Sequence, residues 1–504
     1  MTIRKGWNKL FEIQPSRMIQ KGEEQASSSP FLLYLLQLSF FTVRVITMLK
    51  HRLLIFLCIL SAIPGFGQAK WKALFNGTDL NGWVKRNGNA EYKIIDKTIV
   101  GVSQLNTPNT FLCTEETYGD FVLEMDVKVE KGLNSGIQIR SLSEPSVNNG
   151  RVHGYQVEID PGNRAWSGGV YDEARSGWLY PLSINPKGQK AFKSGDWNRY
   201  HIEAIGPHLK TWINGIPCAD VWDNQTARGF IALQVHQIKR PEQNGLTVQW
   251  RNIRIATENL QSAVLKGGDD IQEVSYLQNQ LTEREKKLGW KLLWDGKTAT
   301  GWKLANADNF PTAGWAMQDG VLKVLGSKKD SVRKGGDIET VREFANFELE
   351  LDFKLTTGAN SGIKYFVVDD PKKRPGTGAG PEYQILDDKV HPDAKEGVNG
   401  NRTTGSLYDL ITAENLSEGG TDKRMNVPGK WNKLRIVAKD GHVEHWLNNL
   451  KMVEYDRHSQ IFRNLVAKSK YNTYPNFAQA PAGHILLQDH GDEVQFRSIK
   501  IREL

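Results

Sequence analysis

The feature that most constrains this chain is that it is written twice. "WKALFNGTDLNGW" runs from Trp71 to Trp83, and "WKLLWDGKTATGW" runs from Trp290 to Trp302. Further blocks follow in one order in both halves. "LNSGIQIR" (133–140) matches "ANSGIKYF" (359–366), and "SGGVYDE" (167–173) matches "TGSLYDL" (404–410). "SGDWNRYHIEAIGPHLKTWING" (194–215) matches "PGKWNKLRIVAKDGHVEHWLNN" (428–449), and "IALQVH" with "VQWRNIRI" matches "ILLQDH" with "VQFRSIKI". A unit of roughly two hundred residues is a whole domain rather than a turn of a solenoid. The chain therefore reads as two copies, 70–256 and 289–504, separated by 257–288. Each repeated phrase marks a domain start, its tryptophans plugging a sheet edge and Asn-Gly or Asp-Gly making the turn.

Alternation sets the fold class. "FVLEMDVKV" (121–129) places Phe121, Leu123, Met125, Val127 and Val129 on one face, and "FELELDFKL" (347–355) repeats the pattern. Such strands have one dry and one wet face. Many of them between Gly/Asn/Asp turns, with 47 Gly and 15 Trp, predict an all-β chain of antiparallel sandwiches. The Gln/Glu/Lys-rich stretch 257–288 reads as a linker, helical from about Asp270 to Lys287, a semi-stiff spacer between the sandwiches. Residues 455–480 have no counterpart in the first copy and are expected as a loop over the second domain.

From Met48, "MLKHRLLIFLCILSAIPGFGQA" has a basic start, an apolar run and a small-residue zone near Gly67, the layout of a secretory signal peptide. Residues 1–67 are thus read as a signal peptide with an N-terminal extension, and the remainder as periplasmic or secreted. Each apolar run is shorter than the ~20 residues a span requires, so no stable membrane span is expected after processing. The leader holds eight Lys/Arg and three Glu, so the formal +8 falls to 57 − 54 = +3 without it. With no basic block, nucleic acid is not an expected partner. Cys113 and Cys218 are either a disulfide or two buried thiols.

The chemistry lies on later strands. "GYQVEID" puts Gln156, Glu158 and Asp160 on one strand face, and "EYQILDD" supplies Glu382 and Gln384 with Asp387 following. Asn134 and Asn360 sit in the "NSG" pieces, with Arg140 and Lys364 beyond them. Tyr171 and Tyr408 follow the carboxylate strands, and Gln234/His236 and Gln488/His490 alternate late in each copy. Rows of carboxylates and amides are costly to bury and mark a groove, although a solvated strand face would look the same. Glu158, Asp160 and His236 could hold a divalent cation with mixed O/N ligands. No motif for an organic cofactor is present. "EIDPGN" places Asn163 where a laminarinase-type glucanase needs its second carboxylate, so a conventional retaining glycosidase is the weaker enzyme reading.

These pieces in this order resemble the 3-keto-disaccharide hydrolase domain family over both copies. The resemblance implies two concanavalin A-like jelly rolls that cleave glycosides oxidised at carbon 3, and a functional link to a sugar 3-oxidoreductase supplying the oxidised sugar. A ketone at carbon 3 acidifies the proton on carbon 2. A base removes that proton, the enolate expels the leaving group from carbon 1, and water adds. Glu158 or Asp160 is then the expected base, with Arg140 and His236 steadying the enolate and Asn134, Gln156, Gln234 and Tyr171 holding hydroxyls. The counterparts in copy two are Glu382, Asp387, Lys364, His490, Asn360, Gln384, Gln488 and Tyr408. Copy two carries Lys364 where Arg140 would give bidentate geometry. The rival from another class is a tandem carbohydrate-binding protein without turnover, in which Trp166, Trp178 and Tyr180 stack on sugar.

Overall fold

The alternating strands are where the sequence puts them. In a computed structural model describing Met48, 67–327 and 335–504, Phe121–Val129 is a strand whose Phe121, Leu123, Met125, Val127 and Val129 are buried, while Glu124 and Asp126 turn outward and pair with Arg199. Phe347–Leu355 buries Phe347, Leu349, Leu351, Phe353 and Leu355 in the same way in the second copy, but its Glu348, Glu350 and Asp352 are covered as well. Each strand lies inside the larger sheet of its sandwich. The first sheet runs His208–Ile213, Asn198–Ile205, Phe121–Val129, Thr247–Ala256, and the second runs His442–Leu447, Trp431–Lys439, Phe347–Leu355, Val494–Glu503 in the same order. The core of each sandwich lies between this sheet and a smaller one, giving two jelly-roll-type β-sandwiches.

The smaller sheets carry the site. In copy one the order is Gly177–Tyr180, Val170–Glu173, His153–Ile159, Ser135–Leu142, Phe230–Val235, Thr110–Thr114, Trp83–Asn87. In copy two it is Trp302–Leu304, Ile338–Thr340, His484–Leu487, Asn360–Val367, Glu382–Leu386. At that sheet's edge the first copy's outermost pair of strands is reduced to isolated bridges, Leu407 pairing with Tyr383 and with Ile411. The opening phrase is structural in both copies. The indole N–H of Trp83 donates to Leu74 O at 2.8 Å and that of Trp302 to Leu293 O at 2.9 Å. Asn76 and Asp295 each accept two backbone N–H groups in the turn between.

The connector differs from its expectation. Its α-helix is confined to Glu283–Lys287, capped by Thr282 and Glu285, while Val274–Ser275 pairs in parallel with Ile216–Trp222 of the first sandwich. Tertiary partners override the helical propensity. Tyr276 donates to Leu179 O (2.9 Å), Asn279 exchanges two hydrogen bonds with Ser498, and Glu285 pairs with Lys500. Asn449 of the second sandwich reaches both Leu179 O (3.0 Å) and the Tyr276 hydroxyl (2.8 Å). The segment is a mortise between the sandwiches rather than a spacer, and residues 67–504 form one compact unit.

Residues 455–480 overlie the second sandwich, but as structure rather than open loop. A helix spans Gln460–Ala467 and a 3-10 turn Lys470–Thr473, with Phe462 and Tyr471 buried. Cys113 and Cys218 are both free and buried, so the disulfide alternative is excluded, and burial pushes each thiol up to about 12. The export segment lies outside the described residues except for Met48 and Gly67. Among those described, no helix is long and apolar enough to cross a membrane.

Candidate active site

The face of the first small sheet turned away from the core bears one hydrogen-bonded row. Ser141 Oγ donates to Gln138 Oε1 (2.8 Å), Gln138 Nε2 to Gln156 Oε1 (2.6 Å), and Gln156 Nε2 to Glu158 Oε2 (3.0 Å). Gln234 Nε2 also donates to Gln156 Oε1 (2.9 Å), and Asn134 Nδ2 closes the row on Glu158 Oε1 (2.6 Å). The alternation that buries Ile137, Val157, Ile159 and Leu233 aims these side chains outward from three adjacent strands. The "NSG" glycine now has a reason. A Cβ at Gly136 would stand 2.3 Å from Gln156 Cδ, and one at Gly362 would stand 2.3 Å from Glu382 Oε1.

Glu158 is 4% exposed. Burial pushes its carboxyl up to about 7, with Asn134 and Gln156 pulling back, the Asp160 charge pushing further and Arg164 opposing. A carboxyl poised there is ionised in useful amount at neutral pH yet basic enough to take a proton. Asp160, at the strand's end, is bound by Arg164 Nε at 2.7 Å. The Arg164 guanidinium lies 4.5 Å from the Trp166 ring and 5.0 Å from that of Trp178. Tyr171, opposite Gln156 in the register, packs edge-on against Trp178. His236 follows the Gln234 strand directly. Burial lowers its imidazole below the usual range, while Glu173 and Asp160 are near enough to counter part of that.

Three expectations for copy one need correction. Arg140 does not face the row: at φ 46° it sits in a bulge that breaks the alternation, and its donors go to Gly119 O, Gly206 O, Ala204 O and Asp120. Trp166 is 1% exposed and Tyr180 is fully buried, so neither offers a stacking face. The cation set also does not assemble. Among the described residues, the His/carboxylate groups converging within 4.8 Å are His208–Asp220–Glu273, Glu339–Asp369–His484 and His442–Glu444–Glu454, and none includes Glu158, Asp160 or His236.

Register also redraws copy two. Gly136 pairs with Glu158, whereas Gly362 pairs with Gln384, so Gln384 holds the Glu158 position and Glu382 holds that of Gln156. Lys364 matches Gln138, not Arg140; Arg140 corresponds to Phe366, likewise at positive φ. Asp387 falls one residue beyond the Asp160 position, which Leu386 fills. Its carboxylate accepts Gly358 N–H and Lys389 N–H, which makes it a turn residue. His490 is exposed, three residues past the end of the His484–Leu487 strand. Asn360 and Gln488 do keep the places of Asn134 and Gln234; Ser361 Oγ donates to Gln488 O as Ser135 Oγ does to Gln234 O. Tyr408 donates to Asp393 Oδ2 at 2.8 Å beside Arg402. The second row also stays open: the buried Gln384 Nε2 and Gln488 Oε1 have no partner.

The model of the 3-keto-alpha-glucoside-1,2-lyase-like domain matches residues 70–256 and again 289–502. The chain belongs to this family, in two tandem copies. A 3-keto-disaccharide hydrolase of Bacteroides thetaiotaomicron is 34% identical over 236 residues, covering 43% of this chain and 79% of its own length. Two crystal structures of candidate glycosyl hydrolases from Parabacteroides distasonis are 35% and 28% identical. They cover 45% and 43% of this chain and 99% of each of those chains, with TM-scores of 0.39 and 0.32.

The two lyase-like domains are thus unequal at their shared site. Gln138, Arg164 and Glu173 escaped the sequence reading although signals existed. Gln138 is two residues past Gly136 on one strand, and Arg164 stands four past Asp160. Glu173 is two past Tyr171 and is paired with Arg151 at 2.7 Å. A separate cavity of about 460 Å³ lies between the sandwiches, lined by Arg175, Asp223, Asn426, Trp431 and Lys433 among others, and touches neither Glu158 nor Glu382.

Proposed function

We propose that the chain is an exported carbohydrate hydrolase acting on 3-keto-glycosides, with its turnover at the first sandwich. The observation that carries this is Glu158: a buried carboxyl raised to about 7, held at both oxygens by Asn134 and Gln156, and flanked by Asp160 and Arg164. In the step proposed, a Glu158 oxygen takes the carbon-2 proton, and the electron pair becomes the enolate of the carbon-3 ketone. That pair then returns to form the carbon 1–carbon 2 double bond as the carbon 1–oxygen bond breaks. The aglycone leaves with a proton, and water adds across the double bond, returning one proton to carbon 2. Arg164 takes the part expected of Arg140, as the cation nearest the developing enolate. Gln234, whose Oε1 is buried without a partner, and Tyr171 hold sugar hydroxyls. A sugar 3-oxidoreductase is the class of enzyme that must supply the ketone.

The reaction is tested by following aglycone release from a disaccharide and from its 3-keto form. Turnover of only the 3-keto form is expected, with Glu158→Gln lowering it by at least about a hundredfold and Glu382→Gln changing it little. Release from the unoxidised sugar would favour a conventional glycosidase. Binding of either sugar without release would favour a binding protein, a reading that the burial of Trp166 and Tyr180 weakens.

A further inference from the structure

We infer that the second sandwich holds a separate ligand site that takes a sugar bearing an anionic substituent, with Lys470 as the residue that selects it. This rests on the reading that these sheet faces bind sugar. Both rows leave the oxygen of the late-strand glutamine unpartnered, Gln234 Oε1 in the first and Gln488 Oε1 in the second, but the second leaves more open. Gln384 is fully buried with an unpartnered Nε2, where Glu158 at the same place in the first row is held at both oxygens, and Glu382 beside it is 5% exposed. Polar groups left so at a sheet face cost free energy until a ligand pairs them.

The charges around this row are also new. Lys364 replaces Gln138 and bonds Asp337 (3.4 Å) and Gly378 O (3.1 Å). Arg402 is spent on Asp393 (2.9 Å) and Asp409 (2.8 Å). The segment that copy one lacks adds a further cation. Its turn at Lys470–Thr473 is pinned by Lys470 N–H donating to Asp409 Oδ2 (3.1 Å), which sets the ammonium 4.0 Å from the Tyr408 ring. Lys470 is exposed, and among the described residues no carboxylate forms an ion pair with it. Lys364 and Lys470 both act on Glu382, whose carboxyl burial raises and whose charge they favour. A neutral sugar would pair the amides and offer Lys470 no charge. A carboxylate or sulfate on the sugar would satisfy both, the ammonium serving as a point charge at the mouth.

Binding of glucose, glucuronate and glucose 6-sulfate to the full chain by calorimetry or saturation-transfer NMR tests this. The anionic sugars are expected to bind about tenfold more tightly than glucose, and the better of the two identifies the anion. The preference should fall with added salt, disappear in Lys470→Met, return in Lys470→Arg and survive in Lys468→Met, an exposed lysine of the same segment. Equal binding of anionic and neutral sugars, or a preference that survives in Lys470→Met, overturns the inference. The same preparations are assayed for 3-keto-glucoside turnover. Loss of anion preference with Glu158-dependent turnover intact defeats this inference alone. Turnover that persists in Glu158→Gln, with the preference present, defeats the proposed function and leaves this site standing.

Discussion

At the scale of the residue, Glu158 is where burial and chemistry meet. Its folded pKa of about 7 stands above the ordinary value of 4.5, so between these two pH values the folded chain binds more protons than the unfolded one. Stability therefore falls as pH rises through that window. The same ionisation switches the base on, so kcat/KM for a 3-keto-glucoside is expected to rise with pH to a plateau above about 7. Glu158→Gln should abolish that limb. It should also make the thermal midpoint less sensitive to pH between 5 and 8 than that of the unaltered protein, because the buried ionisation has gone. A pH–rate profile together with melting curves at both ends of the window checks both. A flat rate profile from pH 5 to 8 in the unaltered protein would remove Glu158 from the role of base.

At the scale of the element, the outward faces of the two large sheets have separate fates. In copy one, Glu124 shares Arg199 and Arg254, each partly exposed. In copy two the connector lies over the sheet and buries the ladder. Lys500 is enclosed between Glu285 and Glu350, and Lys433 pairs with Asp352 at 3.3 Å. Burial opposes the charge on Glu350, yet Lys500, Lys433 and Arg435 hold its carboxyl down at about 2. Lys500→Met leaves two buried carboxylates short of a cation and is expected to cost about 3–5 kcal/mol. Lys72→Met, which breaks the exposed pair with Glu116, should leave the denaturation midpoint unchanged. Urea titrations of both variants make the comparison.

At the scale of the molecule, the connector joins the duplicated sandwiches into one unit. Tyr276 sits at the centre of the joint: its hydroxyl donates to Leu179 of the first sandwich and accepts from Asn449 of the second, which also reaches Leu179 directly. The unaltered chain is expected to unfold in one cooperative transition, and Tyr276→Ala in two. Calorimetry reads the number directly, and a single transition in Tyr276→Ala would mean that the sandwiches are coupled elsewhere.

Much of this molecule was legible before any coordinates. Duplication, the sandwich class, the buried faces of Phe121–Val129 and Phe347–Leu355, and the placing of Gln156 and Glu158 on one outward face all follow from order and alternation. These are local properties that a regular strand turns directly into geometry. Arg140 shows where counting by twos stops: one residue at positive φ inverts the face, and nothing adjacent in sequence announces it. The exchange of Glu158 for Gln384 needed the pairing of strands some twenty residues apart, and the shortening of the connector's helix needed partners on both sandwiches. Sequence by itself determined what repeats and which faces are dry, because these depend on neighbours along the chain. Only the tertiary structure decided which side chains share a site and which of the two copies keeps a carboxylate at the Glu158 position, because register, bulges and docking are set by contacts between segments far apart in the chain.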